Sequence, residues 1–299
     1  MPHSSGVAVG IGYRRALDRW VRDNLRRFDV LEITVDHCLS GNAAASAAIY
    51  DLVRSVPVTA HGIGLSIGTD APLDLAYLDR VATIVDRLGA PAYSEHLAFT
   101  RVPGRDLANL LPLPKTEATA VMVIDKVRQV QRRLPVPFLL ENIAYLFDWP
   151  DSTLSDAAFF ALICAETGAG MLLDIENLHV NAHNHRFDPY EFLDTLPPHI
   201  VKEVHMAGGT AINGNFPVRP LLADSHSHPV PGGAFALLDY ALVRHAPASV
   251  ILERDERLDA TDEILDDVAR IRAHLVRPSA KTTRCESDCW PDKPSCLNT

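Results

Sequence analysis

The stretch GMLLDIEN (Gly170–Asn177) decides how the chain is read. Met171, Leu172 and Leu173 run without a polar break and are followed at once by Asp174, with Asn177 three residues on. A strand with one wet face alternates apolar and polar residues, whereas a parallel strand covered on both faces does not. The stretch therefore reads as a buried parallel strand with a carboxylate at its C-terminal end. Working outward, the same construction recurs. Upstream stand PFLLEN (Pro137–Asn142), PAYSEHLAF (Pro91–Phe99), PVTAH (Pro57–His61), DVLEITVD (Asp29–Asp36) and the apolar run Val7–Ile11. Downstream stand HIVKEVHMA (His199–Ala207) and SVILERD (Ser249–Asp255). Amphipathic or Ala-rich stretches separate them: Arg14–Arg27, Ala43–Arg54, Leu73–Leu88, Lys115–Leu134, Asp151–Thr167, Pro189–Leu196, Gly233–His245 and Thr261–Val276. Gly89 and Gly168 stand where helix C-caps belong. The chain after Phe99, most of Asp174–Asp188 and the long stretch Gly208–Pro231 read as loops. Strands alternating one by one with helices predict an α/β chain closed as a (β/α)8 TIM-type barrel. An open doubly wound sheet is the competing arrangement, but no G-x-G-x-x-G follows a strand, so its dinucleotide-binding form has no support.

The chain has 299 residues, 47% of them hydrophobic and 22% charged, which excludes a disordered or fibrous chain. One barrel of roughly 250 residues accounts for residues 1–277 as a single domain. Residues 278–299 are polar and aperiodic and read as a flexible, Cys-containing C-terminal tail. No apolar run reaches about 18 residues, so no membrane span is expected. The N-terminus lacks a basic region followed by an apolar core, so no secretory signal is expected and the reading is cytoplasmic. In that reducing compartment the five Cys are not read as a disulfide framework. A net charge of −10 argues against a nucleic-acid partner, whose phosphates need Lys and Arg.

Chemistry concentrates at strand ends. His61 ends the third strand, Glu95 and His96 the fourth, Glu141 and Asn142 the fifth. Asp174 and Asn177 end the sixth, His205 the seventh and Glu253 the eighth. In a (β/α)8 barrel these ends ring one mouth, where active sites form. Taken singly, each has an ordinary explanation: a lone His is usually a hydrogen-bonded loop residue, Asp174 could cap a helix, and Glu253 stands beside Arg254. Together, three His and three carboxylates on one rim call for a cation, because clustered anions repel and resist burial. The catalytic and metal-ligating set is therefore His61, His96, Glu141, Asp174, His205 and Glu253. No Cys joins it, which excludes a closed structural zinc site. The ligands outnumber one tetrahedral site, so two or three ions bridged by carboxylate are expected. Mixed N/O donors suit non-haem iron or a zinc cluster. Asn177, Asp224 and His226 could hold a further ion. His179, His183 and His228 read as ordinary polar residues, and His185 stays open.

Seven motifs occur in order: AHGIGLSIG (Ala60–Gly68), SEHLAF (Ser94–Phe99), LLENI (Leu139–Ile143), LLDIENLHVNAHNH (Leu172–His185), VHMAGG (Val204–Gly209), DSHSHPV (Asp224–Val230) and ILERD (Ile251–Asp255). With them the chain resembles the multinuclear non-haem iron-dependent oxidases, the family of the methanobactin-biosynthesis oxidase, over about residues 6–277. The resemblance implies two or three irons as mixed Fe(II)/Fe(III), with O2 as co-substrate. It implies oxidation, most often at Cys, of a ribosomally made precursor peptide in natural-product biosynthesis. It places His61, His96, Glu141, Asp174, His205 and Glu253 around a di-iron core bridged by Glu141, and Asn177, Asp224 and His226 on a third iron. Leader recognition is expected from a separate partner protein. Two departures bear on the substrate pocket: EITVDHCLSG (Glu32–Gly41) replaces a Glu-Asn-Tyr-like stretch, and Glu176 replaces the first Asn of an Asn-Asn pair. The competing chemistry on such a barrel is a zinc- or divalent-metal-dependent hydrolase or isomerase, like endonuclease IV or xylose isomerase. A non-enzymatic metal-buffering barrel would not need open ligand positions. Cys285, Cys289 and Cys296 in the tail are read either as bystanders or as thiols that reach the mouth.

Overall fold

A computed structural model describes residues 6–39, 41, 43–212 and 220–276. Eight strands form its centre: β1 (Ala8–Gly12), β2 (Val30–Thr34), β3 (Val58–Gly62), β4 (Tyr93–His96), β5 (Phe138–Glu141), β6 (Gly170–Asp174), β7 (Val201–Met206) and β8 (Ser249–Leu252). Each pairs in parallel with its sequence neighbours, and β1 closes the ring against β8. Helices pack outside: α1 (Asp18–Asp23), α2 (Val35–Leu39), α3 (Ala43–Leu52), α4 (Leu75–Leu88), α5 (Glu117–Gln131), α6 (Asp156–Thr167), α7 (Ile175–His185), α8 (Pro189–Thr195), α9 (Gly232–Arg244) and α10 (Thr261–Val276). The chain is thus the (β/α)8 barrel read from its sequence.

Local signals explain the elements. In α4, Tyr77, Leu78, Val81, Ile84, Val85 and Leu88 are buried, a helical stripe facing the strands. Asp74 caps it by accepting from the Tyr77 amide, and Gly89 ends it at φ 66°, where a side chain would be strained. Ser155 and Thr116 cap α6 and α5 in the same way. Strands β2, β3, β5 and β8 are buried at every residue, as strands covered on both faces must be.

Three loop readings are corrected. The chain after Phe99 is a hairpin, Phe99–Val102 against Arg105–Leu111. It turns at Pro103-Gly104, with Gly104 at φ 78°. A two-stranded ribbon, Thr210–Ala211 with Leu222–Ala223, stands within the loop after β7. The segment after Asp174 is the helix α7 rather than a loop. Its apolar stripe is thin, Ile175, Leu178 and Ala182, because its inward face also carries Asn177 and Asn181. In the opposite direction, the stretch Arg14–Arg27 is broken into α1 between two short 3-10 turns. Residues 278–299, with Cys285, Cys289 and Cys296, lie outside the described residues. Among the described residues, no helix is long and apolar enough to cross a membrane.

Candidate metal centre

Register sets the site. His96 lies beside Glu141 across β4–β5, Asp174 beside His205 across β6–β7, and His61 beside Ser94 across β3–β4. In-register ends of adjacent parallel strands must deliver their side chains to one level of the barrel. His61, His96, Glu141, Asp174, His205 and Glu253 therefore converge at the C-terminal mouth. His61, Glu141, Asp174, His205 and Glu253 are buried, and His96 is 12% exposed at its side chain.

The donors at the mouth form two groups that share one carboxylate, and a third group, Glu32, Glu203 and His205, gathers on the other side of the His205 ring. His61, His96 and Glu141 make the first; Glu141, Asp174, His205 and Glu253 make the second. Glu141 Oε2 lies 3.4 Å from His61 Nε2 and 3.2 Å from His96 Nε2. Its Oε1 lies 3.3 Å from His205 Nδ1, which is also 3.1 Å from Glu253 Oε2. One carboxylate thus turns one oxygen to each group, the arrangement of a bridge between two ions.

Each ring presents a free nitrogen because its other nitrogen is held. His61 Nδ1 meets Ser94 Oγ at 2.8 Å, and His96 Nδ1 meets the Gly62 carbonyl at 3.2 Å. His205 Nε2 meets Glu32 Oε2 at 2.7 Å. An N–H donated to these acceptors leaves the opposite lone pair aimed into the centre, which is how proteins orient metal-binding imidazoles. Glu141 Oε2, Asp174 Oδ2, Asn177 Oδ1 and His205 Nδ1 are all buried without a hydrogen-bond partner. Buried acceptors without a donor are costly, and several around one point are explained by a cation. The residues present fit a metal.

The ionisation of the group tells the same story. Burial pushes the Asp174 carboxyl well above its usual range, and Asp224 and Glu141 push further. Burial would raise Glu141 too, but His96, His61 and His205 outweigh it and hold it at about 2. Burial lowers His96, yet Glu141 and Glu95 lift it to about 9. His205 is likewise lifted, against burial, by Glu32, Glu253 and Glu141. Protons on imidazole stand in for missing cations, so loading with metal must expel protons.

The outer residues sit one level higher. His226 Nε2 is 2.6 Å from Asp224 Oδ1, and its Nδ1 is 3.0 Å from Asp255 Oδ2 and 3.6 Å from Glu253 Oε2. Apart from facing each other, Asp224 Oδ1 and His226 Nε2 have no hydrogen-bond partner. Asn177 donates its amide to the Asn142 carbonyl at 3.0 Å, which leaves its oxygen as the free atom. All three line one cavity of about 650 Å³ with His61, His96 and Glu141.

His179, His183, His185 and His228 do not join the centre. His183 meets the Pro220 carbonyl, His228 meets Ser227 Oγ, and the His179 ring packs on Gly233. His185 meets the Tyr145 carbonyl at 2.9 Å and stacks on its ring. With Asn181, which spans the Ile143 carbonyl and the Tyr145 amide, it pins the segment after β5 to α7. Glu95 accepts from the Leu65 amide and the Tyr93 hydroxyl and lies 3.6 Å from His96 Nδ1. Arg254 pairs with Asp267 and Glu263, while Glu253 pairs with Arg14 at 2.9 Å. Sequence reasoning missed Glu32, Glu203 and Arg14. The available signal was Glu32 itself, an acid in the middle of an otherwise apolar strand.

The model of a family described as RiPP precursor modification enzyme MbnB/TglH/ChrH matches residues 8–276. A UPF0276 protein of Caulobacter vibrioides is 34% identical over 266 residues, covering 88% of this chain and 93% of that protein. One from Acaryochloris marina is 34% identical over 272 residues, covering 90% and 95%. Among solved structures, endonuclease IV from Thermus thermophilus superposes with TM-score 0.57 at 17% identity, covering 90% of this chain and 98% of that one. A 3-keto-D-glucoside 4-epimerase from E. coli does so with TM-score 0.57 at 18% identity, covering 89% and 99%. At such identity these two structures speak to the fold alone.

Proposed function

The chain belongs to the RiPP precursor modification enzyme family, and on that premise we propose that it is a multinuclear non-haem iron oxidase. It uses O2 to modify a ribosomally synthesised precursor peptide, at cysteine. The observation that carries the reading is Glu141, one buried carboxylate with an oxygen turned to each of two converging donor groups. His61, His96, Glu141, Asp174, His205 and Glu253 would hold two irons, and Asn177, Asp224 and His226 a third. Bound iron would supply the one-electron chemistry with O2 that side chains lack.

The chain's own residues do the rest. Ser94, the Gly62 carbonyl and Glu32 orient the rings before any ion arrives. Ile63, Leu111, Phe147 and Leu222 line the cavity above the donors, so an entering peptide segment displaces water there. That cavity accommodates a few residues of extended peptide, and leader recognition falls to a separate partner protein. Donor type alone would also serve a zinc-dependent hydrolase or isomerase; the family match favours the peptide-modifying reading. The test is to purify the protein without oxygen, measure its metals, search beside its gene for a small Cys-rich reading frame, and follow O2 uptake with the peptide it encodes. Two or three irons per chain with peptide-dependent uptake are expected. Stoichiometric zinc without uptake would overturn the reading.

A further inference from the structure

The two groups that share Glu141 are unequal in charge. The first adds two neutral rings, His61 and His96. Behind them stand neutral acceptors, Ser94 Oγ and the Gly62 carbonyl, with Glu95 farther off at 3.6 Å from His96. The second adds two carboxylates, Asp174 and Glu253, and a single ring, His205. Behind that ring stands an acid, Glu32 Oε2 at 2.7 Å, with Glu203 Oε1 at 3.9 Å. Arg14, 2.9 Å from Glu253 Oε1, offsets one of these anions. With Asp174 ionised, as a metal ligand must be, the second group remains the more anionic. Glu32 is 1% exposed, so little water screens its charge from the ring it touches. A carboxylate that accepts the imidazole N–H also makes the opposite nitrogen a stronger donor.

We infer that Glu32 is a positioning residue acting through His205, and that the acidic group takes the more highly charged ion while the imidazole group takes the less charged one. The argument rests on the metal-centre reading above and adds to it an order of filling. A trivalent ion gains half as much again as a divalent ion from each nearby carboxylate, so the unequal charge sorts ions by valence. The two groups then differ before any substrate enters.

The experiment uses the full chain stripped of metal, with two redox-inert probes, Ga(III) as citrate and Co(II). The unmodified protein is expected to take one Ga(III) together with Co(II) at the His61–His96 side and at the outer site. Asp224→Ala, which loses the outer ion, lets the Co(II) spectrum report the His61–His96 side alone. Glu32→Gln keeps the shape and an acceptor but loses the charge; it should weaken Ga(III) about 10–100-fold and leave the Co(II) spectrum unchanged. Glu32→Asp, which keeps the charge, should recover part of the Ga(III) affinity. Ser94→Ala, behind His61, should shift the Co(II) spectrum and spare Ga(III). If Glu32→Gln weakens both ions alike, or neither, the inference is overturned. Should that variant not fold, competition on the unmodified protein decides, because Ga(III) and Co(II) displacing each other freely would also overturn it. Neither probe involves peptide or O2. Unselective binding therefore defeats this inference alone, whereas no binding of either ion defeats the metal-centre reading as well.

Discussion

The two ends of the barrel handle charge in opposite ways. At the base, where strands begin, Asp29 accepts from the Val9 amide at 3.0 Å and from Arg272 Nη1 at 2.6 Å. Arg272 Nη2 donates to the Arg27 carbonyl at 2.9 Å. Charge there is matched by charge, and the result ties α10 to β1 and β2. At the mouth, Glu141 Oε2, Asp174 Oδ2, Asn177 Oδ1 and His205 Nδ1 are buried without a hydrogen-bond partner, though Glu141 and His205 lie within 3.4 Å of opposite charge. Buried charge is therefore not what marks a site in this molecule. Convergence of several such donors on one cavity is, as at the mouth.

The sharpest way to break that contrast is to remove the shared carboxylate. Glu141→Ala should lose both core ions at once, because each donor group loses a member. Metal analysis of the purified variant checks this, and a variant that keeps two ions would show that Glu141 serves neither group. A smaller loss is expected from Asp224→Ala or His226→Ala. These residues stand on the loop after β7, with His226 at φ 47°, and not at strand ends. One ion should leave and two remain. Loss of every ion would make the loop part of the core.

How much of this was legible beforehand follows from the same geometry. Strand ends are readable because a buried parallel strand is a short apolar run, and the residue that breaks the run is the one at the mouth. His61, His96, Glu141, Asp174, His205 and Glu253 were all singled out in that way. Glu32 was not, because it stands inside β2 rather than at its end, and only the closed barrel brings His205 across to it. Helix α7 was read as loop for a related reason. Helical periodicity counts apolar residues, yet this helix turns Asn177, Asn181 and His185 inward, where they bond the backbone after β5. An inward polar face has no signature until its partner segment is known. The hairpin at Phe99–Leu111 was hidden because its strands, FTRV and RDLANLL, are half-buried or exposed and do not alternate apolar with polar residues.

The base offers the converse test. Arg272→Met keeps the aliphatic stem and removes the hydrogen bonds to Asp29 and Arg27. Asp29 keeps the Val9 amide but loses its charged donor, which should lower stability by about 2 kcal/mol, read as a shift in the urea midpoint. Ion content should not change. If it fell in step with stability, the two ends would be coupled and the contrast between them would weaken.

The smallest effect belongs to His245, which ends α9 at the base, just before β8. It is 3% exposed, and neither ring nitrogen has a hydrogen-bond partner. Burial pulls its pKa down to about 4, and His199 and Arg244 push the same way. In the unfolded chain an ordinary His takes up its proton near pH 6.5. As pH falls below that value the unfolded state gains a proton that the folded state refuses until about 4. The stability His245 contributes is therefore complete above pH 6.5 and is lost on the way down to pH 4. Between pH 7 and pH 5 the loss comes to about 1 kcal/mol once screening by nearby water is allowed for. His245→Leu removes the titrating group while filling the same space with carbon. Its urea midpoint should accordingly fall less between pH 7 and pH 5 than that of the unmodified protein. A slope that stays the same would mean that the ring is already protonated in the fold, and that the base, like the mouth, holds a charge without a visible partner.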